Sequence, residues 1–330
     1  MEKFSGWRDA GTGIHPFLYP KPPRTDTAVY YSAFKCYLVG PIIAVIKLIL
    51  ILIITLLTFL LEVIGLVFIV PAVVQSWKSF LYLIFGRCIL FLCGFYYIET
   101  SEVSVKKLKA NSKSKPVNAQ PLRQLIVSNH SSYLDILYYA YSYAPIFLGV
   151  TVDGKVARLS TWDAFTDAGN VLTHLDDSMT LSDYLKADTS NIPIVLFPEG
   201  TTSNGRGILK FIPVFKDFNM KDSKVQITVM GIKYVWDQFC PTFTTGNKLT
   251  HFFNVLIQFK NTMEVRTLKQ SDLLSTIENV DSNSLDSELA TLLGQTLRLR
   301  QVSKSAKDKI EFLKYFNDRE VNSYPNKKVK

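Results

Sequence analysis

The sequence predicts an α/β fold: a central mixed sheet flanked by helices, preceded by an N-terminal membrane helical hairpin. Two observations carry that expectation. Of the 330 residues, 48% are hydrophobic, near the average for a globular protein, yet the apolar excess is concentrated between Cys36 and Ile98. Beyond it, short apolar runs alternate with stretches of helical character, the pattern of strands packed between helices. The chain accordingly divides into a polar N-terminal segment (1–35), a membrane hairpin (36–98) and one globular domain (99–330) that ends in basic helices.

The first 35 residues are polar, with Pro16, Pro20, Pro22 and Pro23 in a run expected to be extended and poorly structured. A secretory signal would carry its apolar core here, so none is expected. From Val39 to Pro71 the sequence is almost wholly Ile, Leu and Val, with Lys47 and Glu62 the only charges. The uncharged stretch Leu48 to Leu61 is shorter than the roughly 20 residues a span needs, so crossing requires both charges to snorkel toward an interface. A second apolar run, Phe80 to Ile98, is interrupted by Arg87. Between the two, Gln75-Ser76-Trp77-Lys78-Ser79 reads as a short polar turn with an interfacial Trp. Spanning and re-entrant hairpins both fit.

Orientation follows from the flanking cations. Lys3, Arg8, Lys21, Arg24 and Lys35 precede the hairpin, and Lys106, Lys107, Lys109, Lys113 and Lys115 follow it, whereas the turn holds only Lys78. Both flanks are therefore expected in the cytosol. The net charge of +9 favours anionic partners, and the apolar hairpin selects membrane lipids among them. No zinc-finger, basic-zipper or RNA-binding signature appears, so nucleic acid is not expected. Cys36, Cys88, Cys93 and Cys240 form no C-x-x-C pair and mostly lie in or beside apolar stretches, which points to packing rather than disulfides.

In the globular part, strands are expected at Leu122–Val127, Ile146–Thr151, Ile192–Phe197, Lys224–Met230 and Val255–Phe259. Helices are expected at Tyr133–Tyr143, Thr180–Ala187 and Ser284–Arg300. Leu285, Leu289, Leu292, Leu293 and Leu297 recur at helical spacing. Further on, Ile310, Leu313 and Phe316 among Lys304, Lys307, Lys309 and Lys314 form a basic helix, read as packed on the domain in preference to lying on a membrane.

Two constellations carry chemistry. The first is Val127-Ser128-Asn129-His130-Ser131-Ser132-Tyr133-Leu134-Asp135: an apolar strand, a polar turn, then a helix. Residues five apart on one helix diverge by about 140°, so His130 and Asp135 meet only if His130 sits on the turn and Asp135 in the first helical turn. An Asp-oriented His is a general-base pair. The second is Phe197-Pro198-Glu199-Gly200-Thr201-Thr202-Ser203-Asn204-Gly205, again a strand end followed by a Gly-rich turn. Gly200 and Gly205 permit close backbone approach, and the hydroxyls suit an anionic headgroup or a developing oxyanion.

Asn-His-x-x-x-x-Asp at a strand end, followed by Phe-Pro-Glu-Gly-Thr, resembles the glycerolipid acyltransferase family, over roughly Leu122 to Tyr234. The opening Met-Glu-Lys-Phe-Ser-Gly-Trp-Arg-Asp-Ala-Gly-Thr-Gly-Ile, with the hairpin behind it, is similar to the fungal lysophosphatidic acid:oleoyl-CoA branch of that family. The likeness has departures. Thr202 stands where the family often has Arg, a feature similar to its lysophosphatidylcholine branch. Val171-Leu172-Thr173-His174-Leu175-Asp176 lacks the family's phosphate-holding Arg, and Val225-Gln226-Ile227-Thr228-Val229 lacks its Pro. Arg158, Arg206, Lys155 and Lys210 are alternative phosphate contacts or plain surface charges.

The resemblance implies acyl transfer from acyl-CoA to a lysophospholipid, in the first instance lysophosphatidic acid to phosphatidic acid with oleoyl-CoA as donor. His130 is the implied base and Asp135 its orienting carboxylate, with Asn129, Glu199, Gly200, Thr201 and Thr202 at the substrate. CoA leaves as a thiolate, so no cofactor or metal is implied, and His15, His174 and His251 stand apart without ligand spacing. Lysophosphatidylcholine or lysophosphatidylinositol is the alternative acceptor, and a noncatalytic membrane or lipid-droplet hairpin protein is the alternative of another class. The implied location is the endoplasmic reticulum membrane and the lipid droplet, with the domain facing the cytosol. Lys327-Lys328-Val329-Lys330 reads either as a dilysine retrieval signal or as a basic tail.

Overall fold

The computed structural model describes residues 2–20, 35–65, 67–68, 70–105, 123–218, 225–277 and 280–323. The cluster Lys106–Lys115, Pro22, Pro23 and the final lysines fall outside these residues. A 3₁₀ segment (Glu2–Trp7) and a short wide turn (Lys35–Val39) precede the long apolar helix α1 (Gly40–Gly65). Next come α2 (Pro71–Leu81), a wide helical segment (Tyr82–Gly86) and α3 (Arg87–Leu92). The domain then runs β1 (Ile98–Val103), β2 (Arg123–Val127), α4 (Tyr133–Tyr143), β3 (Ile146–Val150), β4 (Val156–Leu159), α5 (Thr161–Asp167), α6 (Leu181–Ala187), β5 (Ile194–Leu196), β6 (Gly207–Ile208), β7 (Val225–Val235), α7 (Lys248–Ile257), β8 (Thr262–Leu268), α8 (Gln270–Ile277), α9 (Ser282–Leu297), β9 (Arg300–Gln301) and α10 (Ala306–Ser323).

Seven strands form one sheet in the order β1-β8-β7-β2-β5-β3-β4. Its centre is parallel, β7, β2, β5 and β3 running together, while β4 and β8 enter antiparallel. The sheet is mixed, as the alternation of runs implies. Its central strands are mostly apolar because both faces are covered. Leu125, Val127, Ile194, Leu196, Ile227 and Val229 face the α9 leucines. Ile126, Val195, Met230 and Ile232 face Tyr133, Ile136 and Tyr139 of α4.

Four expectations need correction. Val255–Phe259 is not a strand: Val255–Ile257 closes α7, whose start is set by Asn247 accepting from Thr250 N at 2.9 Å. A run this short has no period of its own, and the N-cap decides it. The first helix ends at Gly65 and the second begins at Pro71, so the hairpin does not turn at Gln75–Ser79: Pro71 occupies the first turn of α2 and the polar five continue the helix. The second helix stops at Leu92, and Ile98 already opens β1. The N-terminal residues are not loose: Phe17 is fully buried with Leu209, Val302 and Phe312, and Asp9 accepts from Ser303 N at 2.8 Å and Thr12 N at 2.8 Å. Those bonds, with the Ser303 and Thr12 hydroxyls, hold the Asp9 carboxyl far below its ordinary range. Replacing Phe17 with Ala should therefore destabilise the domain by about 3 kcal/mol, the usual cost of emptying a buried aromatic site. Denaturant unfolding in detergent checks this, and an unchanged midpoint would show the arm is dispensable.

Among the described residues, one helix is long and apolar enough to cross a membrane, Tyr37–Gly65. It exposes one apolar side chain after another, from Ile42 to Ile64. The hairpin is nonetheless pinned to the domain at Lys47 and Gln75. Lys47, expected to snorkel, donates to Leu256 O at 3.1 Å and Gln258 O at 2.9 Å, capping the C-terminus of α7. Gln75 Nε2 donates to Ala144 O at 3.1 Å, and Arg87 reaches Phe95 O and Tyr96 O at 2.9 and 2.7 Å. Trp77 Nε1 ties the two helices together through Leu61 O at 2.9 Å.

Candidate active site

Val127 stands opposite Leu196 on one side and Val229 on the other. The turns after β2 and β5 therefore leave the sheet at one edge, outside the carboxyl ends of parallel strands, where open α/β sheets place ligands. Ser132 caps α4 and Asp135 is its third residue, so the two form a reciprocal capping box. His130 lies on the turn before the cap. That break in helical geometry lets residues five apart meet: His130 Nδ1 is 3.1 Å from Asp135 Oδ2.

Asp135 is fully buried and each oxygen is engaged. Oδ2 also accepts from Ser131 N at 2.7 Å and Ser132 N at 2.9 Å, and Oδ1 accepts from Tyr234 Oη at 2.6 Å. A carboxylate only accepts, so Nδ1 carries the proton and Nε2 is left with its lone pair. The imidazole stacks on Phe197, ring centres 4.3 Å apart. It lines a narrow cavity of about 50 Å³ with Phe147, Leu148, Leu159, Gly200 and Thr201.

The second motif braces the first. Glu199 Oε1 accepts from His130 N at 3.0 Å and Oε2 from Leu209 N at 2.9 Å. Gly200 has φ +66°, where any side chain is strained, and a Cβ there would come within 2.3 Å of Ile212 Cδ1 and displace it, which favours glycine. Thr201 donates to Asn170 O at 2.9 Å. The residues singled out from sequence thus converge on one place but do different work. His130, Gly200 and Thr201 line the cavity. Asn129 spends its carboxamide on the main chain of Ile232, at 2.9 and 2.8 Å. Glu199 and Thr202 are wholly buried in the turn rather than in the cavity lining. Arg158, Lys155, Lys210 and Arg206 are all exposed, and Arg206 also lines a second cavity.

Sequence reasoning missed two residues. Tyr234 lies at the far end of β7, where only the strand's unexpected length brings it to Asp135. Lys309, read as part of a solvated basic face, is wholly buried instead. Its Nζ donates to Thr202 O at 2.7 Å and Thr202 Oγ1 at 3.0 Å. Burial pushes the Lys309 ammonium down and the Glu199 carboxyl up, and the attraction between the two opposes both shifts.

The arrangement, an Asp-held imidazole with a free Nε2 beside an apolar cavity and a glycine turn, has the form of an acyl-transfer site. No family model matches the chain. A provisionally named lysophosphatidic acid:oleoyl-CoA acyltransferase of Schizosaccharomyces pombe is 27% identical over 324 residues, covering 95% of this chain and 97% of its own. A lysophospholipid acyltransferase of Arabidopsis thaliana is 28% identical over 54% of the chain and 49% of its own. The crystal structure of the 1-acyl-sn-glycerophosphate acyltransferase of Thermotoga maritima aligns with 77% of the chain and 97% of its own at 12% identity, with a TM-score of 0.40. The resemblance to the glycerolipid acyltransferases holds. Along nearly its full length the chain is similar to the fungal lysophosphatidic acid:oleoyl-CoA type.

Proposed function

We propose that this protein is a membrane-bound acyltransferase that esterifies a lysophospholipid, lysophosphatidic acid first among them, with the acyl group of acyl-CoA, oleoyl-CoA being the donor named for the fission-yeast relative. The observation that carries the reading is His130, with Nδ1 held by Asp135 and the residue itself in the cavity lining. As the acceptor's glycerol hydroxyl attacks the thioester carbonyl, Nε2 takes its proton. Asp135 holds the tautomer and stabilises the imidazolium, and the tetrahedral intermediate collapses with CoA leaving as thiolate. The proton on Nε2 then neutralises that thiolate. General-base help of this kind contributes roughly 10²–10⁴-fold. The cavity is far smaller than the roughly 300–1,000 Å³ of ordinary ligand pockets, so lipid binding must part its apolar walls. CoA thiol release, followed with a thiol reagent while lysophosphatidic acid is varied, tests the reading: one thiol per ester formed is expected, and thiol release independent of acceptor would mark a thioesterase instead.

Lys309 positions rather than reacts. In Lys309→Met the Thr202 carbonyl loses its buried donor, at a cost of about 1–3 kcal/mol, and the turn that carries Glu199 and Gly200 is released. Turnover should fall ten- to a hundredfold, with Lys309→Arg recovering part of it. Equal rates for Met and wild type would make the contact incidental.

The endoplasmic reticulum membrane and the lipid droplet are the proposed locations, with the domain on the cytosolic side. The bonds from Lys47 and Gln75 keep the hairpin against the domain, which supports a hairpin that dips into the membrane and returns. Both chain ends should then be reached by protease added to sealed microsomes. Protection of one end alone would reject this topology.

A further inference from the structure

A second, larger cavity of about 390 Å³ lies at the carboxyl end of β7, with Ser131 in its lining. Its volume falls within the range of small-ligand pockets. Arg206 and Lys233 both line it, no carboxylate does, and neither forms an ion pair among the described residues. Glu264 stands across the strand pair from Lys233, but Arg266 holds its carboxylate at 2.7 Å. Arg206 is exposed and Lys233 partly so, so water screens their charges in part, and an anion entering the cavity would be attracted by both. A separate observation points the same way. Ser131, 1% exposed and directly after His130, lines this cavity, and its buried Oγ has no hydrogen-bond partner among the described residues. A buried hydroxyl without a partner is costly, and a turn of the Ser131 side chain toward the cavity would let Oγ meet a ligand there.

We propose that this cavity is an anion subsite for a phosphate group, with Arg206 and Lys233 as its cations and Ser131 as a hydroxyl donor. It gives the chain a cationic site despite Thr202 and the absence of Arg between Val171 and Asp176. The assignment rests on the acyl-transfer reading for its biological ligand, which is either the phosphate of the lysolipid or a phosphate of CoA. Both present the same chemistry.

The test uses Trp236, which lines the cavity, as a fluorescent reporter in full-length His130→Ala protein in detergent, so that binding is read without turnover. Glycerol 3-phosphate stands for the acceptor headgroup and adenosine 3′,5′-bisphosphate for CoA; sodium chloride at equal ionic strength is the control. A saturable change is expected with one of the two phosphates, lost in Trp236→Phe and weakened about tenfold or more in Arg206→Gln and in Lys233→Gln. The probe that responds identifies the source. In the His130-containing enzyme, the same substitutions should raise KM for the substrate bearing that phosphate and not for the other. No saturable response to either probe, or a response that the Gln variants leave unchanged, overturns the site. Because binding is read without catalysis, phosphate binding by a protein that transfers no acyl group would reject the proposed function and leave the subsite standing. Transfer without such binding does the reverse.

Discussion

Replacing His130 with alanine should lower acyl transfer by about 10²–10⁴-fold, the range lost when a general base is removed, with the folded protein still in the membrane. The structure gives a reason to expect that separation. Neighbours hold His130 mainly by its backbone: Glu199 accepts from His130 N at 3.0 Å, and Ser203 N donates to His130 O at 2.9 Å. Both bonds survive truncation. The side chain itself contributes the Asp135 bond and the stack on Phe197, so the loss of stability should stay near about 1 kcal/mol. Asp135 would keep its three other donors. Comparing initial rates and thermal midpoints in the same detergent separates the two effects. A variant that has lost both equally would show that His130 serves the fold.

The second large effect is at Asp135, and two substitutions divide its roles. In Asp135→Asn the amide oxygen can keep the position of Oδ2, accepting from Ser131 N, Ser132 N and His130 Nδ1, while the amide nitrogen meets Tyr234 Oη, which can turn to accept. Geometry is kept and charge is lost, so the rate should fall by about 10–10³-fold with little unfolding, a smaller loss than removing the base entirely. In Asp135→Ala, two backbone N–H groups and a tyrosine hydroxyl are left buried without partners, each costing about 1–3 kcal/mol, so activity and stability should fall together. If Asp135 acts through the imidazole, adding Asp135→Asn to His130→Ala should cost almost nothing more in rate. An Asp135→Asn enzyme as fast as the wild type would reduce the pair to a helix cap.

The core of this arrangement was legible because its determinants are local. Ser132 and Asp135 are three apart, His130 just precedes the cap, and Gly200 follows a strand of Ile194, Val195 and Leu196, so short-range rules of capping and strand ends place each of them. What was not legible depends on residues distant in sequence. Tyr234 reaches Asp135 only because β7 runs on past Met230, pairing with a β8 that has no strong apolar pattern of its own. Lys309 lies 107 residues beyond Thr202 on a helix rich in exposed lysines, and nothing local distinguishes the one that is buried. The ends of the hairpin helices follow Gly65 and Pro71 and not the polarity of Gln75–Ser79, which lies within a helix. The packing of Phe17 was hidden because a proline-containing polar segment shows no period to read.

The central claim is that His130 drives acyl transfer to a lysophospholipid, and a product assay tests it most directly. Membranes containing the protein, or its His130→Ala variant at matched abundance, are given labelled oleoyl-CoA with lysophosphatidic acid, lysophosphatidylcholine or lysophosphatidylinositol, and the lipids are separated. Labelled phosphatidic acid should form fastest and should fall to background with the variant. Label in no lysolipid product, or equal label from the variant, would contradict the account.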